Sequence, residues 1–403
     1  MSAELVRRMA TEAIHAGEIH DASGSHVAPI YQTSTFTFDG MDAVEKMNAD
    51  ESDAYMYGRG GAPLRTALAS KLAALEGFGL PDGAVGLSAE IFSSGMAAIS
   101  AALMGLATAG DHIIAQRVLY GSADHLISTV LPEFGVTNTR IAGLDPEELE
   151  RALKSNPTTT VVYLETPANP TVAITDIAAT AEIAHAHGAR VVVDNTFATP
   201  VLQRPFEHGA DVIVHSTTKY INGHGTVIGG AVVCNDPELM EERIGSLIRY
   251  TGGVPSPFDC WLTNLGMKTL PLRMREHSGN GMAVARFLES DAAVHSIRYP
   301  GLDSDPQHEL AKRQMDAFGA MIAFDLGSYE SAVRFMDRVE LCSLAVSLGN
   351  IDTLIEHPAS MTHQVVEPEE RALSGITGGL IRLSVGLEAA DDIIADLDRA
   401  LNA

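Results

Sequence analysis

Cysteine is scarce in this chain of 403 residues, which holds only Cys234, Cys260 and Cys342. Three thiols make no even disulfide set and lack the spacing of a metal site. They predict a reducing, cytoplasmic setting, and no metal is expected. Positive charge is scarce as well: Lys and Arg number 27 against 52 Asp and Glu, a formal net charge of −25. Nucleic acids and anionic membrane surfaces are bound through basic patches, so this balance argues against both as partners. No apolar run reaches the roughly 18 residues that a membrane span requires. The opening segment, MSAELVRRMATEAIHAG, lacks the apolar stretch of a secretory signal. Internal repeats and low-complexity tracts are absent. No Gly-x-Gly-x-x-Gly follows the first predicted strand, which argues against a dehydrogenase on a doubly wound sheet.

What is present is a hydrophobic content of 46%, enough for one large domain and a smaller one. Residues 1–60 are irregular and rich in Gly, Ser, Asp and aromatics, and cannot bury much alone. Over 61–255 helical and strand patterns alternate. Helical spacing marks Pro63–Leu75, Pro146–Leu153 and Ile177–His187. Short apolar runs mark strands at Ile113–Ala115, Thr160–Leu164, Val191–Val193 and Val212–Val214. This alternation predicts an α/β fold with a mostly parallel sheet covered on both faces. Over 256–403 the pattern changes to one long helix, Phe258–Met282, followed by mixed elements, which reads as a smaller α+β domain. Residues 78–90 read as a surface insertion.

The most informative stretch is Val191–Gly230. Three valines deliver Asp194 at a strand end, and Lys219 follows 25 positions later, just past the next strand. Ligands of parallel sheets gather at such C-terminal strand ends. A lysine there is either a solvated loop charge or a Schiff-base lysine. Ser216 and Thr218 flank it with hydroxyls suited to phosphate oxygens, and Asp194 could pair with a protonated ring nitrogen. Pyridoxal phosphate needs a lysine, an acid on its pyridinium nitrogen and a phosphate cup. His215 and His224 lack metal-ligand company and read as structural.

The chain as a whole resembles the Cys/Met-metabolism family of pyridoxal-phosphate enzymes. The resemblance runs from AIHAGE and PIYQTSTF through YGRGGAP, SSGMAAI, ETPANP, DNTFATP, STTKY, GMKTLPLRM and HPASMTH to IRLSVGLE. It implies a fold-type I pyridoxal-phosphate-dependent transferase fold, in which residues 1–60 form an arm that wraps a neighbouring subunit. It also implies a homo-oligomer, a dimer of dimers. By the same resemblance Lys219 carries the cofactor and shuttles protons, Asp194 holds the ring nitrogen, and Tyr120 stacks on the ring and helps in acid–base chemistry. Gly95 and Met96 open a helix suited to the phosphate. Tyr57 and Arg59 reach a neighbour's phosphate, although Ala62-Pro63-Leu64 replaces the family's usual Asn-Pro-Thr just beyond. Asn169 lies near the ring's phenolic oxygen, while Arg382 and the Ser347 backbone take the substrate α-carboxylate.

Choosing among the reactions of that family falls to the pocket. Cystathionine γ-lyases commonly carry Glu where this chain has Val346, and an apolar residue suits a methylthio group. His125 stands where cystathionine-processing members tend to carry Arg. Against methionine, Ser122 replaces the Cys usual after Tyr-Gly in methionine γ-lyases. GVPSPFDC (Gly253–Cys260) resembles the cystathionine γ-lyase side, and INGHGTVIGG the homoserine-ester sulfhydrylases. The expectation is γ-elimination on a sulfur amino acid, methionine first, with cystathionine γ-elimination or homoserine-ester replacement as the alternatives.

Overall fold

Valine and isoleucine alternate faces along short strands, and these strands assemble into a seven-stranded sheet. In the computed structural model, which describes residues 3–143, 145–364 and 368–402, the strands are β1 (Ser88–Phe92), β2 (His112–Gln116), β3 (Thr137–Ile141), β4 (Thr159–Glu165), β5 (Arg190–Asp194), β6 (Val212–His215) and β7 (Gly230–Cys234). Their order is β1-β7-β6-β5-β4-β2-β3, with only β7 antiparallel to its neighbours. Each of the four expected strands is present, longer by one or two residues.

The two-residue period of a strand sorts the side chains. Val161, Tyr163, Val192, Val212 and Val214 pack on one face with Ala98, Ala102 and Leu103 of the helix Gly95–Leu106. Val162, Leu164, Val191 and Val193 pack on the other with Leu149 and Leu153 of Pro146–Ser155 and Ile177 and Ala181 of Ile177–Ala186. Both faces are buried, so these strands read as continuous apolar runs, as parallel sheets require. The helix Pro63–Glu76 starts on a proline at its first position, where the missing N–H costs nothing. It buries Leu64, Leu68, Leu72 and Leu75.

A second sheet of five strands comprises β8 (Ser296–Arg298), β9 (Met321–Asp325), β10 (Ser343–Leu344), β11 (Leu354–Glu356) and β12 (Leu380–Ser384), in the order β10-β11-β12-β9-β8. Its core joins Val284 and Leu288 of a long helix to Ile322, Phe324, Ile381 and Leu383.

Three expectations need correction. Residues 1–60 are not irregular throughout: Ala3–His15 and Met41–Asn48 are helices, and Met9 and Ala13, four apart on one face of the first, are buried in the core. The long helix Phe258–Met282 is two helices, Pro257–Met267 and Leu270–Ser290. Pro271 cannot donate the N–H that a continuous helix would send to the Met267 carbonyl. The 78–90 stretch is not wholly an insertion: Ser88–Glu90 belong to β1, and Glu90 pairs with Arg65 of the Pro63–Glu76 helix at 3.1 Å.

Candidate active site

The C-terminal ends of β4, β5 and β6 open on a cavity of about 380 Å³. Asp194 ends β5 and stands in register with Glu165 at the end of β4. The Asp194 carboxylate accepts a hydrogen bond from the Thr196 amide at 2.9 Å. Burial pushes its proton affinity up and the bonds from Thr196 pull it down. Among the described residues it has no ion-pair partner, so a partly buried acid faces the cavity ready for a cationic group.

Lys219 follows β6 and reaches into the same cavity, where its Nζ donates to Ser347 Oγ at 2.8 Å. Burial, helped by the nearby Arg382 charge, lowers its pKa to about 8. Desolvation disfavours the ammonium, which is how a lysine becomes nucleophilic near neutral pH.

A third wall is the start of the helix Gly95–Leu106. Ser94 caps it by accepting from the Ala97 amide at 3.0 Å. Gly95 and Met96 face the cavity with Ser216 and Thr218. The unpaired amides of a helix start favour a phosphate dianion. The packing here demands glycine: a Cβ on Gly95 would lie 2.9 Å from Ser216 Cβ, and one on Gly230 would lie 2.1 Å from the Ser94 carbonyl oxygen. The Thr218 hydroxyl is engaged with Gly229, accepting from its amide at 3.0 Å and donating to its carbonyl at 3.2 Å.

Arg382 comes from β12 of the second sheet and is 3% exposed. Its guanidinium donates to Asn169 Oδ1 at 2.7 Å and to the Ser347 carbonyl at 2.5 Å, and pairs with Glu356 at 3.0 Å. Its Nε has no hydrogen-bond partner among the described residues. Ser347, at φ 91, holds a left-handed backbone that costs a non-glycine residue about 1–3 kcal/mol. That turn presents both its carbonyl to Arg382 and its hydroxyl to Lys219. Tyr120, Ser122 and Val346 also line the cavity, with Val346 52% exposed.

The cavity therefore gathers Lys219, Asp194, Tyr120, Gly95, Met96, Asn169, Ser216, Thr218, Ser347, Arg382, Ser122 and Val346. It does not include Tyr57 and Arg59, which are exposed and stack on each other, guanidinium over ring at 5.6 Å, beside separate clefts. His125 does not line it either. His215 is buried against Glu76 at 2.6 Å, and the His224 ring bonds the Asn222 carbonyl at 2.6 Å.

Sequence reasoning missed Glu165, Thr196, Thr362 and Glu356. Glu165 sits inside the ETPANP motif, and both its oxygens accept the Tyr120 amide at 2.9 Å. The motif marked the segment but not this contact. Glu356 stands one residue before HPASMTH, and only strand register reveals that it faces Arg382.

A lysine with its pKa depressed, a partly buried acid without an ion-pair partner among the described residues, a capped helix start and an arginine lining the same cavity fit pyridoxal phosphate, and the fold and site define a fold-type I pyridoxal-phosphate enzyme. The chain belongs to the family of Cys/Met metabolism PLP-dependent enzymes, whose model matches residues 10–402. It is 50% identical over 396 residues to the L-methionine γ-lyase of Porphyromonas gingivalis, covering 98% of this chain and 97% of that one. The crystal structure of cystathionine γ-lyase from Lactobacillus plantarum complexed with L-serine superposes with a TM-score of 0.88 at 41% identity, over 97% of this chain and 98% of that one. That of the putative O-acetylhomoserine (thiol)-lyase of Campylobacter jejuni, which carries N'-pyridoxyl-lysine-5'-monophosphate, superposes with a TM-score of 0.91 at 33% identity, over 98% of this chain and 100% of that one.

Proposed function

We propose that this enzyme is a carbon–sulfur lyase that converts L-methionine and water to methanethiol, ammonia and 2-oxobutanoate. The observation that carries the reading is the charge inventory of the cavity. Its charged lining residues among those described are Glu165, Asp194, Lys219 and Arg382. Asp194 and Lys219 serve the cofactor, Arg382 the α-carboxylate, and Glu165 the Tyr120 amide. None is left for a distal ammonium or carboxylate, while Val346, Leu348 and Ile228 offer apolar surface to a methylthio group. The likeness to the Porphyromonas gingivalis enzyme supports the same choice.

Each residue then has a task. Gly95, Met96 and Ser216 hold the phosphate, Asp194 the ring nitrogen, and Tyr120 a ring face. When bound, pyridoxal phosphate supplies the electron sink that makes the substrate Cα proton acidic. Arg382 fixes the α-carboxylate and so sets which substrate bond faces Lys219. The Lys219 amine, which burial disposes towards its neutral form, would take the proton from Cα, hand it on to the bound cofactor and so be free to take one from Cβ; the Cγ–S bond then breaks and the sulfur leaves as thiolate, to be protonated to the thiol. To Tyr120, which lines the same cavity, the reading assigns delivery of the thiol's proton.

The same reading assigns residues 1–60 to an arm on a neighbouring subunit, 61–255 to the cofactor-binding α/β domain and 256–403 to a smaller α+β domain. Tyr57 and Arg59, exposed and outside the cavity of their own chain, complete the phosphate site of a partner in a dimer of dimers. Among the described residues no helix is long and apolar enough to cross a membrane; the three buried free thiols suit a reducing cytoplasm.

Val346→Glu tests the substrate choice. A carboxylate there gains a partner in cystathionine's distal ammonium and none in methionine. Because Val346 is half exposed, the effect is moderate. The cystathionine-to-methionine ratio of kcat/KM should rise by roughly tenfold, about 1.4 kcal/mol. An unchanged ratio would mean that this wall does not face the substrate.

A further inference from the structure

Glu356 does not line the cavity, yet it is the group closest in charge to the one that recognises substrate. It is 0% exposed and sits on β11 directly opposite Arg382 on β12. Its Oε1 pairs with Arg382 Nη1 at 3.0 Å and accepts from Thr362 Oγ1 at 3.0 Å. Its Oε2 is buried with no hydrogen-bond partner among the described residues. Thr362 itself faces the cavity, and next to it His363 bonds the Leu119 carbonyl at 3.3 Å beside Tyr120.

A buried guanidinium without a counter-ion is costly, and removing one partner of a buried pair leaves the other charge uncompensated. An incoming α-carboxylate would supply that compensation from the cavity, which Arg382 lines. The two carboxylates then compete for one guanidinium and repel each other through it. Asn169 and the Ser347 carbonyl hold the same guanidinium independently, so its orientation does not depend on Glu356 alone.

We propose that Glu356 is a positioning residue that serves as the resident counter-ion of Arg382 and limits the affinity of the site for α-carboxylates. It acts on the carboxylate through Arg382; its charge also favours the Lys219 ammonium, an effect that pentylamine shares with norleucine and that the comparison of the two therefore cancels. Both the amino-acid substrate and the 2-oxoacid product carry this carboxylate, so the same charge that weakens substrate binding speeds product departure. The inference rests on the reading of Arg382 as the carboxylate ligand.

The test uses the holoenzyme with L-norleucine, which has no γ leaving group, and n-pentylamine, its counterpart without the carboxylate. Binding is followed by the change in the cofactor's visible absorption, and thermal midpoints are recorded with and without ligand. Glu356→Gln keeps an oxygen for Arg382 and Thr362 but removes the charge. It should tighten norleucine about tenfold and leave pentylamine within about twofold. Norleucine should also raise its thermal midpoint more than it raises the wild type's, a gain that a purely structural role would not produce. Glu356→Asp, which draws the charge back by one methylene, should shift the ratio the same way by less, and it decides the matter should the glutamine variant not fold. Norleucine binding that is unchanged or weaker in both variants overturns the proposal. Arg382→Ala should erase the preference for norleucine over pentylamine. If it does not, the reading of Arg382 fails and the proposal fails with it; if it does while the Glu356 variants leave the ratio untouched, only the proposal falls.

Discussion

Lys219 shows how one residue's environment prepares its chemistry. Burial and the Arg382 charge lower its pKa from 10.5 to about 8. The folded apoprotein therefore prefers the neutral amine more strongly than the unfolded chain does. Below pH 8 both states are protonated and the folded state bears the whole penalty. Between pH 8 and 10.5 the unfolded chain binds more protons, so stability rises with pH across that window. Full relief is worth about 3 kcal/mol. Denaturant unfolding of apoprotein should show wild type gaining roughly that much on Lys219→Met from pH 8 to 10.5; a constant gap would mean that the amine is not desolvated. At this scale the sequence was legible where the residues that line the cavity lie within motifs. Lys219, Asp194 and Arg382 stand in short motifs whose residue types declare their chemistry. Glu165 and Glu356 were not legible, because their roles come from partners 45 residues distant in one case and across a strand pair in the other.

Elements place these residues, and glycine permits the placement. The start of the helix Gly95–Leu106 presses against β7, where a Cβ on Gly230 would meet the Ser94 carbonyl oxygen at 2.1 Å and the Gly95 nitrogen at 2.8 Å. Both obstacles are backbone, so Gly230→Ala must push the helix start out of the phosphate position. Cofactor dissociation, measured by loss of visible absorption on dilution, should increase at least about tenfold, with a stability loss of about 1–3 kcal/mol from overpacking. Wild-type cofactor retention would show that the helix start does not hold the phosphate. The central strands were readable because burial on both faces writes them as unbroken apolar triplets. The edge strand β1 carries no such signature: Ser88–Phe92 contains Glu90, whose charge is paired with the distant Arg65. The division of the long helix at Lys268 and Thr269 was hidden for another reason. Its apolar spacing continues across the break, and the signal lay in Pro271 alone.

At the scale of the whole molecule, Tyr57 and Arg59 are the residues that resemblance assigns to a site and that the cavity of their own chain does not contain. They lie exposed, outside the cavity that holds Lys219. If they serve a neighbour, mixing Arg59→Ala with Lys219→Ala protomers should recover activity, because one hybrid site regains both residues. Recovery of up to about a quarter of wild-type activity per total site is expected from random pairing into dimers. An active monomer in solution, or no recovery after subunit exchange is verified, would place both residues elsewhere. The family was legible from end to end because its motifs are local; the proposed assembly rests on resemblance alone.

The central claim is that a cavity with no charge to spare selects the methylthio group of methionine. The most direct measurement offers the purified holoenzyme L-methionine, L-cystathionine, and O-acetylhomoserine with sulfide, and quantifies methanethiol, 2-oxobutanoate and homocysteine. The account predicts equimolar methanethiol and 2-oxobutanoate from methionine, with the highest kcat/KM of the three. Homocysteine formed from O-acetylhomoserine and sulfide far faster than methionine is cleaved would contradict it.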